Sequence, residues 1–101
     1  MARPEIGIYL PHMGLPYEDV ERRVRRCEDS GIDSVWLYDH LFAPGMPDHP
    51  SLEAWTLATA LLARTDAIRI GHMVLCNQFR HPVMLAKMVT TLDHISGGRL
   101  S

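Results

Sequence analysis

Ser34-Val35-Trp36-Leu37-Tyr38-Asp39-His40 is the stretch on which the reading of the chain turns, because an apolar run of strand character passes directly into a carboxylate and an imidazole. In repeated strand-helix proteins the chemistry sits at the carboxyl ends of the strands, while strand interiors and helices supply the scaffold. Asp39 and His40 occupy such an end. Working outward, Ile6 to Leu10 reads as a preceding strand closed by Pro11, and residues from Pro16 to about Ser30 read as a helix with Gly31 as its left-handed stop. Val20, Val24 and Cys27 give that helix one buried stripe at i, i+4 and i+7.

Downstream, a loop rich in Pro, Gly and Asp runs from about Ala43 to Pro50. Ser51 is the expected cap of a second helix through about Arg64, whose apolar face is Leu52, Trp55, Ala58 and Leu62. Ile68 to Leu75 reads as a third strand. Pro82 opens a third helix with Leu85, Val89 and Leu92 at helical spacing, and Ser96-Gly97-Gly98 ends it. Arg99-Leu100-Ser101 looks like the start of a fourth strand. Strand starts near residues 5, 34, 68 and 99 thus recur at roughly 30 residues, the length of one βα unit. Alternation of this kind predicts an α/β fold with a parallel sheet, either doubly wound or a (β/α)8 barrel. A barrel takes about 250 residues, so this chain would supply about its first three units.

The chain has 101 residues, 47% hydrophobic and 22% charged, which is enough for one modest core. Its net charge of −2 gives no footprint for nucleic acid or an anionic membrane, and neither is expected as a partner. No apolar run reaches the roughly 20 residues of a membrane span, and no signal-peptide pattern opens the chain, so a soluble cytoplasmic protein is expected. Cys27 and Cys76 form no CxxC pair. The Arg22, Arg23, Arg25 and Arg26 run is offset by Glu18, Asp19 and Glu21 at i, i+4, which predicts a solvated helix face rather than a basic patch. Six histidines at 12, 40, 49, 72, 81 and 94 lack metal-ligand spacing and read as ordinary loop and rim residues, with no metal expected.

Familiar signatures are missing: the turn after the first strand, Leu10-Pro11-His12-Met13-Gly14-Leu15, holds one glycine where a dinucleotide fold wants three, and no P-loop, HExxH or GxSxG occurs. Two local groups remain. Asp39 with His40 reads either as a proton-transfer site with its supporting carboxylate or as a turn in which Asp caps backbone amides. The run from Gly71 to Pro82 passes through Cys76, Asn77, Gln78, Phe79 and Arg80, and reads either as a ligand rim or as a plain loop with Arg80 on the surface.

Taken in order, Gly31-Ile32-Asp33-Ser34-Val35-Trp36-Leu37-Tyr38-Asp39-His40-Leu41, Leu52-Glu53-Ala54-Trp55-Thr56-Leu57-Ala58, Ile70-Gly71 through Phe79-Arg80-His81-Pro82, and Leu92-Asp93-His94-Ile95-Ser96-Gly97-Gly98-Arg99-Leu100 resemble the luciferase-like monooxygenases, the LLM-class flavin-dependent oxidoreductases. The resemblance spans nearly the whole chain. It implies a partial TIM (β/α)8 barrel, residues 1–101 being its amino-terminal part and ending at the start of strand four, with the phosphate-binding part beyond. It implies an oxidoreductase or monooxygenase of a small-molecule substrate with FMN or the deazaflavin coenzyme F420, a homodimer as the full-length protein, and an inactive fragment.

Within the family the Asp-His pair looks closest to the deazaflavin-dependent branch. Carried over, His40 is the expected catalytic proton carrier, and Asp39, Met73, Val74 and Cys76 the cofactor-binding residues, with a non-prolyl cis peptide at Met73-Val74. Two stand-alone readings rival it: a non-catalytic α/β module that self-associates through open sheet edges, and a small doubly wound ligand-binding domain.

Overall fold

A computed structural model describes residues 2–101, in the order β1 (Gly7–Tyr9), α1 (Tyr17–Asp29), β2 (Ser34–Leu37), α2 (Ala54–Ala63), β3 (Arg69–His72) and α3 (Pro82–Ser96). The strands form one parallel sheet in sequential order β1-β2-β3. Register aligns Ile8 with Val35 and Val35 with Ile70. Leu100 makes a parallel bridge to Ile70 on the far side of β3, so the fourth-strand start expected at Arg99 takes the next position in the sheet. No switch in strand order occurs among the described strands. This matches the alternation read from the sequence and gives an α/β fold.

The strands are shorter than their apolar runs. β3 was expected to reach Leu75 but stops at His72, and the Met73–Val74 peptide is cis, as the resemblance implied. Hydrophobicity alone could not mark that end, because Val74 is apolar yet 76% exposed, a rim residue rather than a ladder residue. Met73 still donates its amide to the Leu37 carbonyl at 2.7 Å, which ties the end of β3 to that of β2.

Two faces of the sheet differ. Val35, Leu37 and Ile70 are fully buried with Val20 and Val24 of α1, Leu61 and Leu62 of α2 and Leu92 of α3, and α2 packs against both other helices. On the other face Trp36 lies across β1 and β3, its Nε1 donating to Ser34 Oγ at 2.9 Å. Close approach there demands glycine: a Cβ on Gly71 would stand 2.6 Å from Trp36 Cζ3 and 2.9 Å from the Ser101 carbonyl oxygen.

Helix ends follow local chemistry. Pro16 is the N-cap of α1 and Gly31 follows with φ +80°, while α3 begins at Pro82 and closes on left-handed Gly97. The cap of α2 corrects the sequence expectation: Glu53, not Ser51, accepts from the Trp55 and Thr56 amides, at 3.1 and 2.7 Å. Ser51 is drawn away because its hydroxyl bonds the Tyr38 hydroxyl at 2.7 Å and donates to the His40 carbonyl at 3.2 Å. On α1 the charged face is solvated as expected and the expected Glu21–Arg25 pair forms, but Arg22 turns to Asp19 rather than Glu18, and Glu21 also takes Arg64. No described helix is long and apolar enough to cross a membrane.

Because Trp36 leaves no room for a methyl group, Gly71→Ala is expected to destabilise the fold by about 1–3 kcal/mol through forced displacement of the ring. Urea unfolding checks this, and a variant as stable as the wild type contradicts the packing described.

Candidate functional site

The site forms where the chain leaves β2 and β3. Leaving a parallel strand frees backbone amides and carbonyls from the ladder, and those groups must find other partners. Here the Cys76 amide donates to Asp39 Oδ2 at 2.7 Å, bridging the two strand exits. Arg80, in the last turn before α3, adds a two-pronged pair to the same carboxylate: Nη1 to Oδ2 at 2.7 Å and Nη2 to Oδ1 at 3.1 Å. Its Nη2 also reaches Glu53 Oε1 at the start of α2.

Burial makes this pairing matter. The Asp39 side chain is 2% exposed and that of Arg80 11%, so neither charge has bulk water to solvate it. An unpaired charge in such a place costs several kcal/mol, and a forked guanidinium-carboxylate pair offsets much of that. Burial pushes the Asp39 carboxyl up, but Arg80 and the Cys76 amide outweigh it and hold the group below its ordinary value. Glu53 is likewise opposed by burial, yet the Thr56 and Trp55 amides and Arg80 bring it down to about 2. Arg80, between two carboxylates, is raised.

Arg80 therefore corrects the surface reading. A residue 41 positions from Asp39 gives no local signal of its partner, and the loop composition pointed outward. Glu53 was equally hidden as a partner, although an acidic residue just before an apolar helix is a recognisable cap.

Asp39, His40, Val74 and Cys76 line one concavity of about 410 Å³ together with Leu75 and Phe79. Met73 is exposed and does not line it. His40 is exposed, its ring set edge-on against Tyr38 with centroids 4.8 Å apart. Cys76 is a free thiol whose Sγ lies 3.4 Å from Gln78 Oε1. A mostly apolar hollow rimmed by one imidazole and one thiol suits a flat, weakly polar ring whose reacting edge exchanges a proton.

Two histidines read as rim residues prove to be interior. His12 is fully buried, its Nε2–H donating to the Leu52 carbonyl at 3.0 Å, while its Nδ1 has no partner among the described residues. His72 is half-buried, stacked on Trp55 at 5.6 Å, and donates to the Ala54 carbonyl at 3.1 Å. Burial lowers both from their ordinary values. Their carbonyl partners flank Glu53, so the end of β3, the turn after β1 and the Arg80 loop all hold the first residues of α2. Among the described residues no group of three or more His, Cys, Asp or Glu side chains is placed to hold a metal.

A sequential parallel sheet with a polar-rimmed hollow at its strand exits is that of α/β proteins whose ligands meet the carboxyl ends of the strands. A family model described as luciferase-like monooxygenase matches residues 1–101, and the chain belongs to that family. It is 30% identical over 91 residues to the 5,10-methylenetetrahydromethanopterin reductase of Archaeoglobus fulgidus, covering 90% of this chain and 24% of that protein. It is 39% identical over 89 residues to the F420-dependent glucose-6-phosphate dehydrogenase of Amycolatopsis mediterranei, covering 84% of this chain and 26% of that protein. Among solved structures, an F420-dependent secondary alcohol dehydrogenase in complex with an F420-acetone adduct matches with a TM-score of 0.82 at 26% identity, over 99% of this chain and 31% of that one. The chain spans about a quarter of the length of the curated relatives it matches.

Acid should undo this site by a defined route. Glu53 and Asp39 are depressed in the fold, so their stabilisation is complete above the unfolded carboxylate range and is lost as pH falls, for Glu53 between the ordinary 4.5 and about 2. His12 and His72, lowered by burial, work in the same direction once pH drops below about 6.5, because the unfolded chain then takes up protons first. Stability measured from pH 7 to 3 should fall steadily, and Asp39→Asn, which leaves Arg80 with Glu53 as its one carboxylate partner, should cost about 1–3 kcal/mol at pH 7. A variant losing less than 1 kcal/mol would contradict the assigned pairing.

Proposed function

We propose that residues 1–101 form the first three βα units of a (β/α)8 barrel, and that the full-length protein is an oxidoreductase acting on a small-molecule substrate with coenzyme F420, or with FMN in the same place. The observation that carries this reading is the concavity at the ends of β2 and β3, with an exposed imidazole on one side and Val74, Leu75, Cys76 and Phe79 on the other. The F420-dependent proteins among its relatives support it, as does the sequential order of the strands.

The residues present fit such a ring. Val74, the most exposed of the apolar lining residues, offers the face on which a planar ring would rest, and Cys76 is small enough to let it approach. When bound, the coenzyme would supply or accept the hydride, chemistry that no side chain performs. His40 holds or takes the proton at the reacting edge. Asp39, paired to Arg80, keeps the Cys76 backbone beside the ring, and Met73 stands at the rim. The remaining units of the barrel would complete the wall and bind the phosphate, so the 101 residues alone should not turn over substrate.

In the full-length protein, coenzyme F420 added to the apoprotein should bind with a change in its fluorescence. His40→Ala should lower turnover by about 10²–10⁴-fold while leaving that binding within a few-fold of wild type. Unchanged turnover in His40→Ala would remove the proton-transfer role, and binding of neither F420 nor FMN would remove the reading altogether.

A further inference from the structure

We infer that Arg80 is a positioning residue for the concavity, with Glu53 as its second anchor: it fixes the wall formed by residues 74–79 through Asp39 and the Cys76 amide without facing the ligand. This inference rests on the cofactor reading above and deepens it. Arg80 is largely withdrawn from solvent, its side chain 11% exposed, is not among the residues lining the concavity, and turns its Nη donors to two carboxylates from different elements. Asp39 spends its own acceptors inward, with Oδ2 shared by the Cys76 amide and Arg80 Nη1 and Oδ1 taken by Nη2. The carboxylate is thus a strut rather than a free ligand.

What it supports is otherwise poorly held. Val74 and Phe79 are exposed and Cys76 is only half-buried, so among the side chains of this wall Leu75 is the one that packs on the core, and it leaves residues 76–79 to be held by polar ties. Its described ties are the Cys76 amide to Asp39, the Phe79 amide to the Cys76 carbonyl at 3.4 Å, and the Cys76–Gln78 contact. Glu53 completes the arrangement because the same carboxylate caps α2 through the Trp55 and Thr56 amides, joining the helix start to the loop after β3. One guanidinium thereby couples three segments: the exit of β2, the exit of β3 and the entry to α2. Lysine would not replace it, since a single ammonium cannot fork onto one carboxylate and reach a second in a fixed plane. A shift of about 1 Å in such a wall is enough to cost about 100-fold in the rate of a reaction it positions.

The test uses full-length protein, with Arg80→Ala, Arg80→Lys and Glu53→Gln compared by two readouts: hydrogen exchange of the Cys76 amide without ligand, and the dissociation constant for coenzyme F420. Arg80→Ala should speed Cys76 exchange at least tenfold and weaken F420 at least tenfold, about 1.4 kcal/mol. Methylguanidinium, but not methylammonium, should recover most of both losses, which a general loss of stability would not permit. Arg80→Lys should stay at least tenfold weaker than wild type. Wild-type exchange and affinity in Arg80→Ala, or losses in it that methylguanidinium leaves untouched, would overturn the inference. Should Arg80→Ala fail to fold, Glu53→Gln decides, several-fold faster Cys76 exchange supporting the role and wild-type exchange refuting it. If wild-type protein binds neither F420 nor FMN, the cofactor reading fails while the exchange arm still judges Arg80.

Discussion

The structure depends on one constraint: a carboxylate at the end of β2 is buried, and a buried carboxylate must be paired. Asp39 could satisfy it by protonation or by recruiting donors, and the geometry shows the second solution, with the Cys76 amide and the two prongs of Arg80 surrounding it. The competition is between desolvation, which favours the neutral acid, and three donors, which favour the anion; the donors prevail. Once that charge is kept, the loop after β3 has a fixed place, because both its amide and its guanidinium are committed to the strand before it. The concavity is a consequence of that commitment.

The start of α2 is the second point of convergence. His12 after β1, Tyr38 through Ser51 in β2's exit, His72 in β3 and Arg80 beyond it all make hydrogen bonds to residues 51–54. A helix entry held from every strand is rigid, and the exposed apolar rim beside it stands on that support. Trp36 does similar work at mid-sheet, where it lies across two glycines that leave it space.

Much of the fold was legible in the sequence because it is written in local rules. Pro82 and Gly97 bound α3, Gly31 closes α1, and the roughly 30-residue spacing of apolar runs marks the βα units. That Asp39 and His40 stand together at a strand exit, beside the concavity, was legible for the same reason. What stayed hidden was non-local. Arg80 meets Asp39 across 41 positions and Glu53 across 27, and no pattern within a window of either residue announces the pairing. Ser51 looked like a cap and was diverted by a tyrosine 13 positions away. His12 looked like a loop residue and is interior, because the chain after β1 folds back beneath residue 52. The end of β3 was overrun because an apolar rim and an apolar strand have the same composition.

A crystal structure of the full-length protein with coenzyme F420 tests the central claim most directly. The account predicts the ring resting against Val74 in the concavity at the ends of β2 and β3, a ring nitrogen of His40 within hydrogen-bond reach of its reacting edge, and Arg80 still forked onto Asp39 behind the wall. A coenzyme ring bound elsewhere, with this concavity filled by the protein's own side chains, would contradict it.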